Sequence, residues 1–215
     1  MASSERRLQV IQAGYGGTTA DVAVLNGARS DSDPAVRSAA LSGLSRCGML
    51  SPEAILLGLG DQSPVVRQRT AQLVQRVDRA TQTLEVTEAL SLLLRDSTPL
   101  CVIAASETIG ALGLTENVPI LCEIATTHSD PLVVEEAVAT LAELGDPAGL
   151  PIILSKESSK PALRRRVVAA LGAFDGPEVE AALDRLSNDR DWQVRQAVAM
   201  LRRESFDETP YLTED

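Results

Sequence analysis

The sequence predicts an all-α fold, a right-handed α-solenoid of about six helix pairs. The first observation is a recurring phrase: an Asp, a Pro three residues later, then Val-Arg and aliphatic or small residues spaced four apart, as in residues 31–44. A near-constant period is typical of a repeat array. The second observation is that no window shows the alternation of a β-strand. Copies of the phrase begin 30 to 35 residues apart, at Asp31, Asp61, Asp96, His128, Ser158 and Asp189.

The composition agrees with this prediction. Hydrophobic residues make up 44% of the chain but aromatic residues only 2%, so the core must be built from Leu, Val, Ile and Ala. Such a core suits closely packed layers of helices, in which each repeat buries its apolar face against its neighbours.

The N-terminal part predicts two helices separated by glycines. Residues 4–13 have helical spacing, and residues 14–17 (GYGG) end that helix. Thr18 or Thr19 can cap the next helix, which we expect to reach Ala28. Because the break lacks the lysine of a P-loop and follows no strand, we interpret it as a turn between helices.

Beyond residue 28, first and second helices alternate, and each second helix begins at the Pro of the phrase. Proline fits the first turn because its missing N–H has no intrahelical partner there. In the second helix Val36, Ala40 and Leu44 share one stripe, which we expect to be buried. The predicted first helices are 18–28, 51–59, 82–95, 116–126, 147–154 and 177–187; the predicted second helices are 34–47, 64–77, 99–112, 131–144, 161–173 and 191–203.

The phrase Asp-x-x-Pro-x-Val-Arg, followed by Ala and Leu, resembles that of HEAT repeats, of the short kind also found in phycobilin-lyase-type proteins. The resemblance covers roughly residues 18–203. It implies that the second helices line the concave face, and that the Asp and Arg form a ladder between adjacent repeats. The pairs would be Asp31/Arg37, Asp61/Arg67 and Asp189/Arg195.

The middle of the chain departs from this pattern. Val102 and Val134 stand where the Arg is expected, His128 replaces one Asp, and Ser158 precedes Arg164. We therefore expect the ladder to lapse in the copies that begin at Asp96, His128 and Ser158, and the centre to be more apolar.

Charge is segregated along a chain whose net charge is −10. Residues 96–155 contain nine acidic residues and no Lys or Arg, whereas residues 156–203 contain ten basic and seven acidic residues. Overall repulsion makes nucleic acid an unfavourable partner. We expect a single solenoid domain over residues 1–203, followed by a flexible acidic tail, 204–215.

The residues for catalysis are few. His128 is the single histidine and occupies a turn, where we expect it to cap or face solvent. Cys47, Cys101 and Cys122 lack metal-ligand spacing, and we expect them to be buried in a reduced cytosol. We therefore predict no enzyme, no cofactor and no metal, in a cytoplasmic protein without a membrane span or secretory signal.

The candidate partner-binding residues lie on the second helices towards the centre and C-terminal half: Val102, Glu107, Val134, Glu135, Arg164, Arg165, Arg195 and Trp192. Glu135 and Glu136 would face Arg165 and Arg166 across a repeat boundary. In the alternative, Arg164, Arg165 and Arg166 form a basic patch with Arg195. Trp192 either packs on the preceding repeat or is an exposed contact.

The favoured function is a scaffold or adaptor that binds another protein or a peptide segment on the concave face, with the partner's identity left open. One alternative is an accessory lyase or chromophore-transfer protein, as the resemblance to phycobilin lyases implies. A second alternative is a nucleic-acid-binding HEAT-like protein.

Overall fold

The structure, a computed structural model, describes residues 3–207, with side chains up to residue 203. This part of the chain forms thirteen α-helices and no β-strand, so the all-α prediction is confirmed. The helices are α1 Ser3–Gly16, α2 Thr19–Ala28, α3 Pro34–Arg46, α4 Pro52–Leu59, α5 Pro64–Val74, α6 Leu84–Leu93, α7 Pro99–Leu112, α8 Val118–Thr127, α9 Pro131–Leu144, α10 Leu150–Leu154, α11 Pro161–Leu171, α12 Pro177–Leu186 and α13 Trp192–Asp207. Most of the predicted tail, residues 208–215, lies outside the described residues.

The described residues form two compact units, unit 1 up to Leu114 and unit 2 from Thr115. In unit 1, helices α1, α3, α5 and α7 pack one on the next, and α2, α4 and α6 each pack on the second helix that follows. In unit 2, α9, α11 and α13 form the equivalent row, with α8, α10 and α12 as their partners. We call each of these rows the second-helix layer of its unit. The single domain predicted for residues 1–203 stays a prediction.

In five of the six copies, the first residue of the phrase shapes the turn before the second helix. The carboxylate of Asp31 accepts a hydrogen bond from the backbone N–H of Asp33 at 2.9 Å, and Asp61, Asp96 and Asp189 accept the equivalent bond. At His128 the imidazole Nδ1 accepts it instead, from Asp130 N–H at 3.1 Å. The expectation that this histidine caps a turn is therefore confirmed.

The predicted apolar stripe forms the core. Val36, Ala40 and Leu44 are fully buried. The equivalent positions of α9 are buried too, but in α11 the side chain of Leu163 is only partly covered and the neighbouring Arg164 is buried. An arginine can take such a position only when its charge is paired.

Three first helices begin two or three residues later than predicted, α6 at Leu84, α8 at Val118 and α10 at Leu150. In α8 and α10 a 3₁₀ turn precedes the helix, Thr115–Asn117 and Pro147–Gly149. The cause in these two is a proline near the start of the α-helix, Pro119 and Pro151. Proline lacks the N–H that a helix interior requires, so it is restricted to the first turn.

The crossing of α1 and α3 depends on Gly14 and Gly43. A Cβ atom added to Gly14 would lie 2.8 Å from the Cα of Gly43, and backbone cannot yield as a flexible side chain can. We expect Gly14→Ala to lower the free energy of unfolding by about 2 kcal/mol, as overpacking does, in urea unfolding followed by circular dichroism.

The matched control is Gly27→Ala, since a Cβ there would meet nothing within 4 Å. Because alanine favours the helix, this control should be about 0.5 kcal/mol more stable than the wild type. Equal stability of Gly14→Ala and the wild type would contradict the close crossing.

Candidate functional site

Arginines of the second helices link successive repeats in unit 1. Arg37 donates from Nε and Nη2 to the carboxylate of Asp61, at 2.8 and 2.6 Å. Its Nη1 donates to the carbonyl oxygens of Asp31 and Ser32 in its own turn. We call this set of bonds a rung. Arg67 and Asp96 form a second rung, at 2.7 and 2.9 Å.

Unit 2 contains one rung of the same kind. Arg164 donates from Nε and Nη2 to Asp189 at 2.7 Å each, and from Nη1 to the carbonyl of Ser159 at 2.6 Å. Arg164 is 3% exposed to solvent. A ladder between adjacent repeats is thus present, but its pairs differ from the predicted ones, Asp31/Arg37, Asp61/Arg67 and Asp189/Arg195. Arg37, Arg67 and Arg164 each bond to the Asp of the following repeat.

This direction of bonding corrects part of the prediction. The ladder does not lapse at Asp96, because the carboxylate of Asp96 forms a salt bridge with Arg67 of the preceding repeat. Arg164 needs no Asp at position 158, because its partner lies in the next repeat.

The rungs lower the pKa values of their aspartate carboxylates. The hydrogen bond from Arg37 is the largest influence on the pKa of Asp61 and lowers it. Arg67 and Arg164 lower the pKa of Asp96 and of Asp189 in the same way. The charged forms are therefore stabilised in the folded protein.

A rung is missing between α9 and α11. Val134 stands in the place of the arginine and Ser158 in the place of the aspartate. A hollow of about 400 Å³ opens at this boundary, since valine is too short to cross it. We call it the missing-rung hollow. Its lining includes Pro131, Val134, Glu135, Lys156, Lys160 and Leu163.

The charge at this hollow is unusual for the chain. Lys156 and Lys160 are the only two lysines in the sequence, and both line it. On the adjoining surface, Glu135, Arg165 and Arg166 share a second hollow of about 300 Å³. Glu135 thus lines the same hollow as the two arginines expected to face it. Arg165 Nη1 donates to Gln193 Oε1 at 2.7 Å.

The structure corrects two of the candidate residues, which as partner contacts were expected to face outward. Val102 is a core residue of α7, and Arg164 is enclosed in its rung. For Trp192, the sequence leaves packing on the preceding repeat and exposure as alternatives. Trp192 is the first residue of α13 and is 61% exposed, so the exposed alternative describes it.

The other candidates lie at the surface or in the hollows. Glu107 and Arg195 are exposed, and Arg195 Nη1 donates to the carbonyl of Asp189 in its own turn. Val134, Glu135 and Arg165 are partly buried. Of the eight candidates, Val134 and Glu135 line the missing-rung hollow.

Three arginines that sequence analysis missed converge in unit 1. Arg7 of α1, Arg46 of α3 and Arg69 of α5 line one hollow of about 370 Å³. The sequence carries a signal for Arg46 and Arg69, since both lie on second helices. It gives no indication that α1 joins the same layer, because α1 lies before the first copy of the phrase.

Side chains for metal chemistry do not come together in the described residues, where no group of three His, Cys, Asp or Glu could hold an ion. Cys101 is buried, but Cys47 and Cys122 are partly exposed, contrary to expectation. Over the same range, no helix combines the length and apolar character needed to cross a membrane.

Comparison with known proteins supports the fold. Residues 86–155 match the family described as HEAT repeats, which confirms the resemblance drawn from the phrase. None of the curated proteins matches the sequence.

Solved structures resemble the chain over most of its length. An engineered protein aligns over 87% of this chain and 97% of its own, with 16% identity and a TM-score of 0.63. The complex of CpcE and CpcF of phycocyanin lyase, from Nostoc sp., aligns over 95% and 83%, with 19% identity and a TM-score of 0.54. A designed armadillo repeat protein in complex with the peptide (KR)4 aligns over 90% and 98%, with 14% identity and a TM-score of 0.54. At these identities the likeness shows the fold alone, an α-solenoid of HEAT and armadillo-like repeats.

Proposed function

We propose that the chain is a non-catalytic scaffold that binds a segment of another protein on the second-helix layer of unit 2. The observation that carries this proposal is the missing-rung hollow. It is a recess at a boundary without a rung, whereas the Arg164–Asp189 rung spans the next boundary of unit 2, and it combines apolar side chains with lysines. The designed armadillo neighbour was solved with a peptide bound, which supports peptide binding by this fold.

The lining defines the chemistry of the segment. Val134 and Leu163 provide an apolar surface for one side chain of the partner, and Lys156 and Lys160 stand beside them. Arg165 and Arg166 continue the basic surface along α11. Four basic groups beside Glu135 favour an acidic partner, because complementary charge steers association and fixes register. We therefore expect an acidic segment with an apolar anchor.

No specific observation favours the two alternatives, an accessory lyase and a nucleic-acid-binding protein. The likeness to the phycocyanin lyase complex shows the fold alone, and it brings no bilin-binding residue onto this chain. For nucleic acid, the 2% aromatic content offers little stacking surface.

Restoring the rung tests the proposal. We expect the double variant Val134→Arg with Ser158→Asp to fill the hollow without a change in net charge. Peptides selected from a displayed library on the wild-type chain should carry Asp or Glu around an apolar residue. In fluorescence anisotropy their affinity for the double variant should fall by about tenfold or more, which corresponds to about 1.4 kcal/mol.

A rise in the melting temperature of the double variant would show that the new rung forms, because it adds charge-assisted hydrogen bonds. Lys156→Gln with Lys160→Gln should also weaken binding. Arg190→Gln with Arg203→Gln, two exposed arginines outside the hollow, is the control of equal charge and should not. Selected peptides that bind the rung-restored variant as tightly as the wild type would contradict the proposal.

A further inference from the structure

The arginine hollow of unit 1 is a second site with its own chemistry. Arg7, Arg46 and Arg69 come from α1, α3 and α5, which are neighbours in the second-helix layer. They span more than 60 residues of the sequence, from Arg7 to Arg69, but share one recess. The site uses no residue of the missing-rung hollow, so it goes beyond the function proposed above.

Within residues 3–203, no salt bridge joins a carboxylate to Arg7, Arg46 or Arg69, since the salt bridges there involve other arginines. Asp33 senses the charge of Arg7, but the hydrogen bond from Ser3 is the largest influence lowering the pKa of Asp33. The cluster is therefore positively charged within a protein whose net charge is −10.

Neutral groups hold two of the arginines in place. Arg69 Nε donates to Ser42 Oγ at 2.8 Å, and Arg46 Nε donates to the carbonyl of Gly14 at 3.2 Å. The Arg46 guanidinium also stacks over the Tyr15 ring, 4.6 Å from its centroid. Arg69 Nη1 also donates a long hydrogen bond, 3.4 Å, to Gln72 Oε1. Together these contacts fix the plane of each guanidinium, while Arg69 Nη2 and both terminal nitrogens of Arg46 make none of these bonds and can contact a ligand without breaking them.

The arrangement places like charges together. Burial is the main cause that lowers the pKa of Arg69, and the positive charges of Arg76 and Arg46 lower it further. A bound anion would relieve this repulsion. The guanidinium group is also the side chain best suited to bidentate contact with an oxyanion.

We infer that the arginine hollow binds a phosphoryl group carried on a peptide segment. A phosphorylated side chain has a charge near −2 and three acceptor oxygens at neutral pH, which matches three guanidinium groups better than a single carboxylate does. The recess also contains apolar side chains, among them Ile11 and the 55% exposed Val65. A free phosphate ion would leave these uncovered, whereas the residues flanking a phosphorylated side chain would pack on them.

The test uses the full chain and three fluorescent peptides of one sequence, with phosphoserine, serine or glutamate at the centre and apolar residues beside it. Anisotropy should show that the phosphoserine peptide binds at least about tenfold more tightly than the other two, because charge-assisted bonds to phosphate are lost in both. Arg46→Gln with Arg69→Gln should abolish this preference. Arg190→Gln with Arg203→Gln, which removes the same charge elsewhere, should retain it.

A further variant distinguishes a loss of binding from a loss of folding. Arg7→Gln removes an exposed side chain and should reduce the preference while the melting temperature stays at the wild-type value. Equal binding of the three peptides, or an unchanged preference in the folded Arg46/Arg69 variant, would overturn the inference. Displacement of the peptide by inorganic phosphate at equal concentration would assign the site to the free ion. Tighter binding of a DNA oligonucleotide than of the phosphopeptide would assign it to nucleic acid, and either result would overturn the peptide assignment.

Discussion

We expect Arg164→Ala to lower the free energy of unfolding by about 3 kcal/mol. This should be the largest effect among the arginines of the second-helix layer in unit 2. Arg164 is 3% exposed, and its side chain forms three hydrogen bonds to Asp189 and to the carbonyl of Ser159. Its removal leaves the Asp189 carboxylate enclosed without its counter-charge. Such truncation costs far more than the intact pair contributes, because the desolvated partner remains. Urea unfolding at pH 7 measures the loss.

The neighbouring residue provides the control. Arg166 is exposed on the same helix, and Arg166→Ala should change stability by less than about 0.5 kcal/mol. Adding Asp189→Ala to Arg164→Ala should recover part of the loss, since the stranded charge is then gone. If Arg164→Ala and Arg166→Ala prove equally stable, the rung does not link the repeats as described.

The second expected result is a fall in stability as the pH is lowered below about 5. The pKa values of Asp61, Asp96 and Asp189 are lowered in the folded protein, in each case chiefly by the arginine of the rung. An unfolded Asp has a pKa near 3.9, so the unfolded chain binds protons first as the pH falls. The stability contributed by the rungs is fully present above about pH 5 and is lost as the pH falls through the folded pKa values.

Asparagine substitution isolates this effect. In Asp61→Asn with Asp96→Asn, the amide oxygen can still accept the turn hydrogen bond, but the carboxylate charge is absent. We expect this variant to be less stable than the wild type at pH 7, by about 1 kcal/mol or more for each rung. Its stability should then fall less steeply below pH 5. Parallel pH profiles for the two proteins, measured by thermal unfolding, would contradict the assignment.

The fold could be predicted from the sequence because one repeated phrase marks where the second helices begin. Pro34, Pro64, Pro99, Pro131 and Pro161 begin helices as predicted, since proline is pre-shaped for the first turn. Helix ends and first-helix starts were less accurate. Pro119 and Pro151 displaced two starts, and α5 ends at Val74 rather than at residue 77.

The sites were harder to predict, because they depend on which residues meet between repeats. The phrase includes Arg164, but only the packing of the repeats shows that this arginine pairs with Asp189 of the next repeat. The absent rung at Val134 is readable from the sequence, and the hollow there follows from side-chain length. The arginine hollow was not predictable from the phrase, since Arg7 lies outside every copy of it.

His128 separates two roles that the aspartate of the phrase combines. Its imidazole keeps the bond to the backbone of Asp130 that shapes the turn, yet it offers no negative charge to an arginine. The turn within a helix pair and the attachment of that pair to the preceding one are thus specified by different properties of one side chain. A repeat array of this kind can lose an attachment through one or two substitutions while every helix still begins at its proline. Each boundary is for that reason a place where a pocket can form without a different fold, and the boundary between Val134 and Ser158 is one such place.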